Sequence, residues 1–158
     1  ITTREQLLDE MCATLGGRAA EEIFLGAIST GASNDLERVT KQAYAMVTYF
    51  GMSDQLPNLN YYDSTGQEWG FTKPYSEETA RLIDKEVQKI INEQYDRART
   101  ILRDNAAKHN QLAEKLLECE VIYSEDLEKI FGKRPWASRS EEIMEQQAAD
   151  TSTTAPHA

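Results

Sequence analysis

The chain has little basic charge. Across its 158 residues, 17 lysines and arginines oppose 27 aspartates and glutamates, which leaves a formal net charge of -10. This balance argues against nucleic acid or an anionic membrane surface as a partner. Long hydrophobic runs are also missing, because none approaches the roughly 20 apolar residues of a membrane-spanning helix, and the chain does not begin like a signal peptide. These absences predict a soluble domain.

Cysteine and histidine are scarce, with two of each. Cys12 and Cys119 have no partners at metal-ligand spacing and fall on apolar faces of predicted helices, which indicates reduced, buried thiols in a cytosolic setting. His109 and His157 lie far apart in the sequence, so no two histidines share a helix face. We interpret His109 as a surface residue or as one with an ordinary hydrogen-bonding partner.

Several catalytic motifs do not occur in the sequence. The phosphate-binding pattern Gly-x-x-x-x-Gly-Lys-Ser/Thr is missing, so these residues cannot bind ATP in that manner. Neither Gly-x-Ser-x-Gly nor a Cys/His nucleophile arrangement is found, and His-Glu-x-x-His is absent as well. We therefore assign no catalytic and no cofactor-binding residue.

Helical periodicity dominates the rest of the chain and predicts an all-α helical bundle. A stripe at residues 80–102 predicts a rod about 40 Å long, with Tyr95 on its apolar side and Arg99 on its polar side. Residues 105–120 predict a helix that returns along the rod as a helical hairpin. A small β-hairpin can form around residues 59–72.

The domain is predicted to span residues 1–132. A short helix after a cap at Ser124 ends it, and residues 133–158 are expected to form a disordered tail because they contain scarcely any large apolar residue. At the other end, Thr2 and Glu5 have the spacing of a capping box for the first helix.

The first predicted helix continues through Gly16 and Gly17. Two glycines inside a helix cost on the order of 2 kcal/mol relative to alanine, so we expect a compensating contact. Our hypothesis is that both glycines, with Ala19 and Ala20, form a surface of small residues on which another helix packs.

The segment at residues 30–51, TGASNDLERVTKQAYAMVTYFG, places an acidic residue at the start of an amphipathic helix. Asn34 and Glu37 have capping-box spacing, which puts Asp35 at the first helical position. The positive end of the helix dipole keeps such a carboxylate ionised. Asp35 can then serve as a metal ligand, or it can simply mark the helix start, and the spacing alone favours the second interpretation.

Glu21 and Glu22 lie near the end of the first helix, beside the connector that leads to Asp35. Adjacent residues on a helix point about 100° apart, so at most one of them can face a site. One interpretation is that they support a metal ligand indirectly. The alternative is one solvated glutamate and one that pairs with an arginine such as Arg18.

Three blocks, LGGRAAEEIFLG, TGASNDLERVT and YFGMSD, resemble the C-terminal part of the peptidase domain in the FtsH family of membrane-anchored AAA+ zinc metalloproteases. The stretch at residues 75–102 resembles the long helix that follows there, and the blocks keep the family's order over residues 2–132. In that family, two histidines of a His-Glu-x-x-His helix and one downstream aspartate hold zinc. The aspartate corresponds to Asp35, whereas the histidine motif is missing from this chain.

The resemblance implies a longer, ATP-dependent zinc endopeptidase that degrades membrane and misfolded cytosolic proteins. It implies a homohexamer, with this domain at the cytoplasmic face of the inner membrane and with ATP and membrane contacts only in segments outside the chain. Because Ile1 is not a natural initiator, we expect a part of that protein, inactive and without bound zinc on its own. The alternative is a noncatalytic helical adaptor or oligomerisation module.

Overall fold

The computed structural model describes residues 1–61 and 73–136, together with Met144. Its helices are α1 (Arg4–Ala20), α2 (Ser33–Thr48), α3 (Glu77–Asp104), α4 (Ala106–Cys119) and α5 (Ser124–Phe131). Within these residues the only β-structure is an isolated bridge between Met52 and Pro57. The predicted all-α class is therefore confirmed.

Two shorter helical turns connect α1 to α2. A π-helical turn at Glu21–Leu25 continues α1, and a 3-10 turn at Thr30–Ala32 runs into α2. Gly26 ends the π-helical turn with φ of 68°, a left-handed conformation that glycine commonly adopts at the end of a helix. α1 and α2 are therefore joined by a short connector that contains no regular structure between Gly26 and Thr30.

The chain divides into two compact units, residues 1–106 and 107–158. The β-hairpin predicted around residues 59–72 falls largely outside the described residues, as does most of the tail predicted at 133–158. The boundary at residue 132 and the return of residues 105–120 along the rod stay predictions. Where the structure describes the chain, no helix has the length and apolar character needed to cross a bilayer.

The core of the first unit lies where α1, α2 and α3 meet. α3 is 28 residues long and begins after Ser76, whose Oγ caps the helix by accepting a hydrogen bond from the amide of Thr79 at 3.1 Å. The largest fully buried side chains come from all three helices: Met11, Leu15, Val39, Met46, Val47 and Ile83. The amphipathic character predicted for α2 is thus confirmed, whereas Phe50, which follows the end of the helix at Thr48, is 49% exposed.

Ala19 packs in a smaller apolar cluster with Cys12 and Ala98, between α1 and α3. Ala19 therefore faces the core, whereas a Cβ atom at Gly16 or Gly17 would meet nothing within 4 Å among the described residues, so the contact expected at the two glycines stays a prediction. The burial predicted for Cys12 is confirmed.

The ends of the helices show where local patterns placed a cap one residue too early or too late. α1 begins with a capping box of Thr3 and Gln6, and not of Thr2 and Glu5. The Thr3 hydroxyl accepts from the Gln6 amide at 3.2 Å, and the Gln6 side chain accepts from the Thr3 amide at 2.9 Å. Ser124, predicted as a cap, is instead the first residue of α5.

The environment of Cys119 differs from the prediction. Cys119 was predicted to be buried on the apolar face of its helix, but its side chain is exposed. No described residue of α4 is buried, so the apolar positions of this helix do not form a core within their unit.

Candidate metal centre

Asp35 is the third residue of α2, because the helix begins at Ser33. The predicted capping box of Asn34 and Glu37 is therefore wrong. The 3-10 turn explains the difference: the amide of Ser33 donates to the carbonyl of Thr30, so the start of α2 is satisfied by backbone and no side chain caps it. Asp35 still lies in the first turn of the helix, where the helix dipole stabilises a negative charge.

The Asp35 side chain is partly exposed, and it makes no hydrogen bond or ion pair with the residues that the structure describes. Its oxygens are therefore available to a ligand. A carboxylate oxygen is one of the donor types that zinc accepts, and the first turn of a helix limits the directions it can take. On its own chemistry and surroundings, Asp35 fits the role of one metal ligand.

One carboxylate does not make a metal site. Catalytic zinc sites generally use three protein ligands and leave one position for water. In the described part of the chain, no group of three or more His, Cys, Asp and Glu side chains could hold a metal. The partners of Asp35 would have to come from residues other than these.

Glu21 holds the connector that leads to Asp35. Its Oε2 accepts a hydrogen bond from the amide of Ser29 at 3.1 Å, and its Oε1 accepts one from the Ser29 hydroxyl at 2.8 Å. The same hydroxyl oxygen accepts from the amide of Gly31 at 3.1 Å, inside the 3-10 turn. A short series of hydrogen bonds therefore runs from Glu21 to the turn on which α2 begins.

Glu22 points to α3 and not to the connector. The Tyr95 hydroxyl donates to its Oε2 at 2.5 Å, and the Arg99 guanidinium donates to its Oε1 at 3.3 Å. Glu22 thus pairs with an arginine, as one interpretation expected, but the arginine is Arg99 and not Arg18. A π-helical turn has more residues per turn than an α-helix, so Glu22 does not lie above the residue four positions before it.

Hydrogen bonding keeps both glutamates charged. The bonds from the Ser29 hydroxyl and amide lower the pKa of Glu21 below its ordinary value. The bond from the Tyr95 hydroxyl, supported by Arg99, lowers the pKa of Glu22. Conversely, burial and the neighbouring Glu22 carboxylate raise the pKa of Tyr95, so its hydroxyl keeps its proton and remains a donor. Of the two adjacent carboxylates, Glu21 thus binds the connector and Glu22 binds α3.

Sequence reasoning identified Asp35, Glu21 and Glu22 but missed the partners of Glu22. Tyr95 and Arg99 follow Glu22 by 73 and 77 positions, and no local spacing indicates such a contact. Arg99 was placed on the polar outer side of the rod, yet its side chain is only 29% exposed.

Comparison with known proteins extends these observations. A family model described as peptidase family M41 matches residues 1–130. The ATP-dependent zinc metalloprotease FtsH of Parabacteroides distasonis is 80% identical over 147 residues, which are 93% of this chain and 22% of that protein. The ATP-dependent zinc metalloprotease FtsH of Rhodothermus marinus is 53% identical over 136 residues, 85% of this chain and 20% of that protein.

A more distant relative is similar over nearly the whole chain. The mitochondrial inner membrane m-AAA protease component AFG3L2 of Mus musculus is 42% identical over 157 residues, 98% of this chain and 20% of that protein. The chain therefore spans about a fifth of the length of the curated relatives that it matches.

Proposed function

The chain belongs to peptidase family M41, and on that premise we propose that it is part of a longer ATP-dependent zinc endopeptidase to which it contributes one zinc ligand, Asp35. Relatives that carry the name zinc metalloprotease support the activity. The observation that carries the assignment of Asp35 is its partly exposed carboxylate at the first turn of α2, which the described residues leave without a hydrogen bond or ion pair.

This chain would contribute only part of what zinc-dependent peptide hydrolysis requires. Bound zinc supplies Lewis acidity for the attack of water on a peptide carbonyl. Asp35 contributes an anionic oxygen at a position that α2 determines, and Glu21 holds the connector before α2 through Ser29. The sequence contains no His-Glu-x-x-His, so two histidine ligands and the glutamate that activates water would belong to a segment outside these residues.

The rest of the proposed protein follows from the same family. It would bind ATP in a separate ATPase module, assemble as a homohexamer, and degrade membrane and misfolded cytosolic proteins. Its anchor would place this domain at the cytoplasmic face of the inner membrane, and the name of the mouse relative, an inner membrane protease component, supports a membrane setting. By itself this chain would be inactive and would not retain zinc. A noncatalytic adaptor has less support, because the family is one of peptidases.

The experiment that tests this proposal uses the full-length protein. Asp35→Ala should leave ATP hydrolysis intact, reduce the zinc content of the purified protein and abolish degradation of a protein substrate. Glu37→Ala is the matched control, because Glu37 lies two positions along the same helix with a side chain that is 62% exposed and paired with Lys41. Wild-type zinc content and proteolysis in the Asp35 variant would remove this residue from the metal site.

A further inference from the structure

The π-helical turn Glu21–Leu25 makes polar contacts through both of its glutamates. None of its five residues is fully buried, so polar contacts contribute to its position beside the half-buried Ile23 and Phe24. Turns of this kind are rare and occur frequently at functional sites. The π-helical turn joins α1 to the connector that leads to α2 and Asp35. The contacts that hold the turn in position are therefore of interest.

Glu22 makes polar contacts between this turn and α3. The hydrogen bond from the Tyr95 hydroxyl measures 2.5 Å, and bonds to an ionised acceptor are stronger than those between neutral groups. The Arg99 guanidinium adds an ion pair at 3.3 Å and lies 5.5 Å from the centre of the Tyr95 ring. Glu22, Tyr95 and Arg99 therefore form one cluster, which we call the Glu22 anchor.

Arg99 is held firmly in the Glu22 anchor. Its Nε atom is buried and has no hydrogen-bond partner among the described residues, which is an energetic cost for a charged group. A freely solvated arginine would avoid that cost by turning outward. The Arg99 guanidinium also pairs with Asp96 of the same helix at 3.5 Å, so Glu22, Tyr95 and Asp96 together surround it.

Glu21, the residue before Glu22, links the π-helical turn to the start of α2. Glu21 belongs to the same turn and accepts both hydrogen bonds from Ser29, which in turn contacts Gly31. We propose that Glu22 is a positioning residue for Asp35: the Glu22 anchor holds the π-helical turn against α3, and Glu21 transmits that position to the start of α2. This inference rests on the proposed role of Asp35 as a zinc ligand.

The test compares variants of the full-length, zinc-loaded protein. The rate at which zinc passes to a chromogenic chelator and the visible spectrum of the cobalt-substituted protein report on ligand geometry without relying on activity. Glu22→Ala should raise the rate of zinc loss roughly tenfold and change the cobalt spectrum, as loss of groups that orient metal ligands does. Glu22→Gln should restore most of the wild-type behaviour, because its amide can still accept from Arg99 and bond with Tyr95.

A second pair of variants distinguishes positioning from general stability. Tyr95→Phe removes only the hydroxyl of the anchor and should give a smaller change in the same direction. Tyr44→Phe is its matched control, because the Tyr44 hydroxyl donates to Asp84 at 2.7 Å between α2 and α3, away from the π-helical turn. The Tyr44 variant should leave zinc release and the cobalt spectrum unchanged.

Each result has a defined meaning. If Asp35→Ala does not weaken zinc binding, the proposed function fails, whatever the Glu22 variants do. If Asp35→Ala weakens zinc binding but Glu22→Ala and Tyr95→Phe behave like the wild type, the positioning role of Glu22 is wrong. Equal effects of Tyr95→Phe and Tyr44→Phe, or no recovery in Glu22→Gln, would also overturn it. Should Glu22→Ala fail to fold, Tyr95→Phe still decides the matter.

Discussion

The Ser53 hydroxyl donates a hydrogen bond to Oε2 of Glu86 at 2.8 Å, and the two residues are only 3% and 6% exposed. This polar pair lies beside the apolar core and joins the segment after α2 to the long helix α3. The Ser53 oxygen also accepts from the amide of Gln55 at 3.2 Å. A buried carboxylate thus fixes a segment that has no helix or strand of its own.

Ser53→Ala should destabilise the chain by about 1–3 kcal/mol, because it leaves a buried carboxylate oxygen without its donor. Urea unfolding of the 158-residue chain measures this change. Glu86→Ala and the double variant complete a double-mutant cycle, in which a coupling energy above about 0.5 kcal/mol is expected for residues in direct contact. Glu93→Ala, an exposed position on the same helix, is the control. Additive effects of the two substitutions would contradict a stabilising contact between them.

The pH dependence of stability should reflect Glu21 and Glu22. Hydrogen bonds lower the pKa of both groups in the folded chain below their ordinary value of 4.5. The folded state therefore binds these protons less readily than the unfolded state, and the resulting stability is present above about pH 4.5. It should be lost as the pH falls from about 4.5 through the lower pKa values of the folded state.

Thermal unfolding between about pH 3 and pH 7 tests this expectation. Glu21→Gln and Glu22→Gln should each lower the melting temperature at neutral pH and make it less dependent on pH in the acid range. Glu93→Gln serves as the control. A wild-type profile that falls no more steeply in acid than that of the Glu21→Gln, Glu22→Gln double variant would contradict the assignment.

Local sequence patterns predicted the helices but not the contacts that hold the candidate site. α1, α2 and α3 were found because their apolar residues recur with the period of a helix, and this signal depends only on near neighbours. Glu22 with Tyr95, and Ser53 with Glu86, are separated by 73 and 33 positions. Such partners are selected by tertiary packing and leave no mark in local spacing.

The same distinction applies to Asp35. The residues predicted a helix start with an acidic first turn, and the 3-10 turn Thr30–Ala32 then moved the start to Ser33. A zinc ligand could not be inferred from that spacing, because an acidic first turn is common at helix starts for electrostatic reasons alone. The metal role came from the resemblance to a peptidase family.

Gly51 and Gly26 provide a test of backbone geometry. Both adopt the left-handed conformation, with φ of 60° and 68°, which costs other residues about 1 kcal/mol or more. A Cβ atom at Gly51 would also lie 3.0 Å from backbone atoms of Asn58 and Leu59, whereas one at Gly26 would meet no described atom within 4 Å.

Gly51→Ala should therefore destabilise the chain by clearly more than Gly26→Ala, with about 1 kcal/mol for Gly26 and at least about twice that for Gly51. Chemical denaturation of the two variants beside the wild type measures the difference. Equal losses would mean that the segment around Asn58 shifts without cost to admit the new methyl group.

Gly17→Ala separates the isolated chain from the full-length protein. In this chain, a Cβ at Gly17 meets no described atom within 4 Å, and alanine is favoured over glycine inside a helix by up to about 1 kcal/mol. The substitution should raise the melting temperature of the chain. Gly16→Ala is the matched variant, because a Cβ at Gly16 has equally open surroundings on the same helix.

In the longer protein, the effect of Gly17→Ala tests whether another helix packs on the side of α1 that is open in the isolated chain. If another helix packs closely against Gly17 there, Gly17→Ala should lower the thermal stability of that protein or its proteolytic rate, while it stabilises the isolated chain. Helix propensity favours alanine over glycine in both proteins. Stabilisation of the isolated chain together with destabilisation of the longer protein would therefore place a close contact at Gly17. Stabilisation in both proteins would show instead that nothing approaches α1 at this residue.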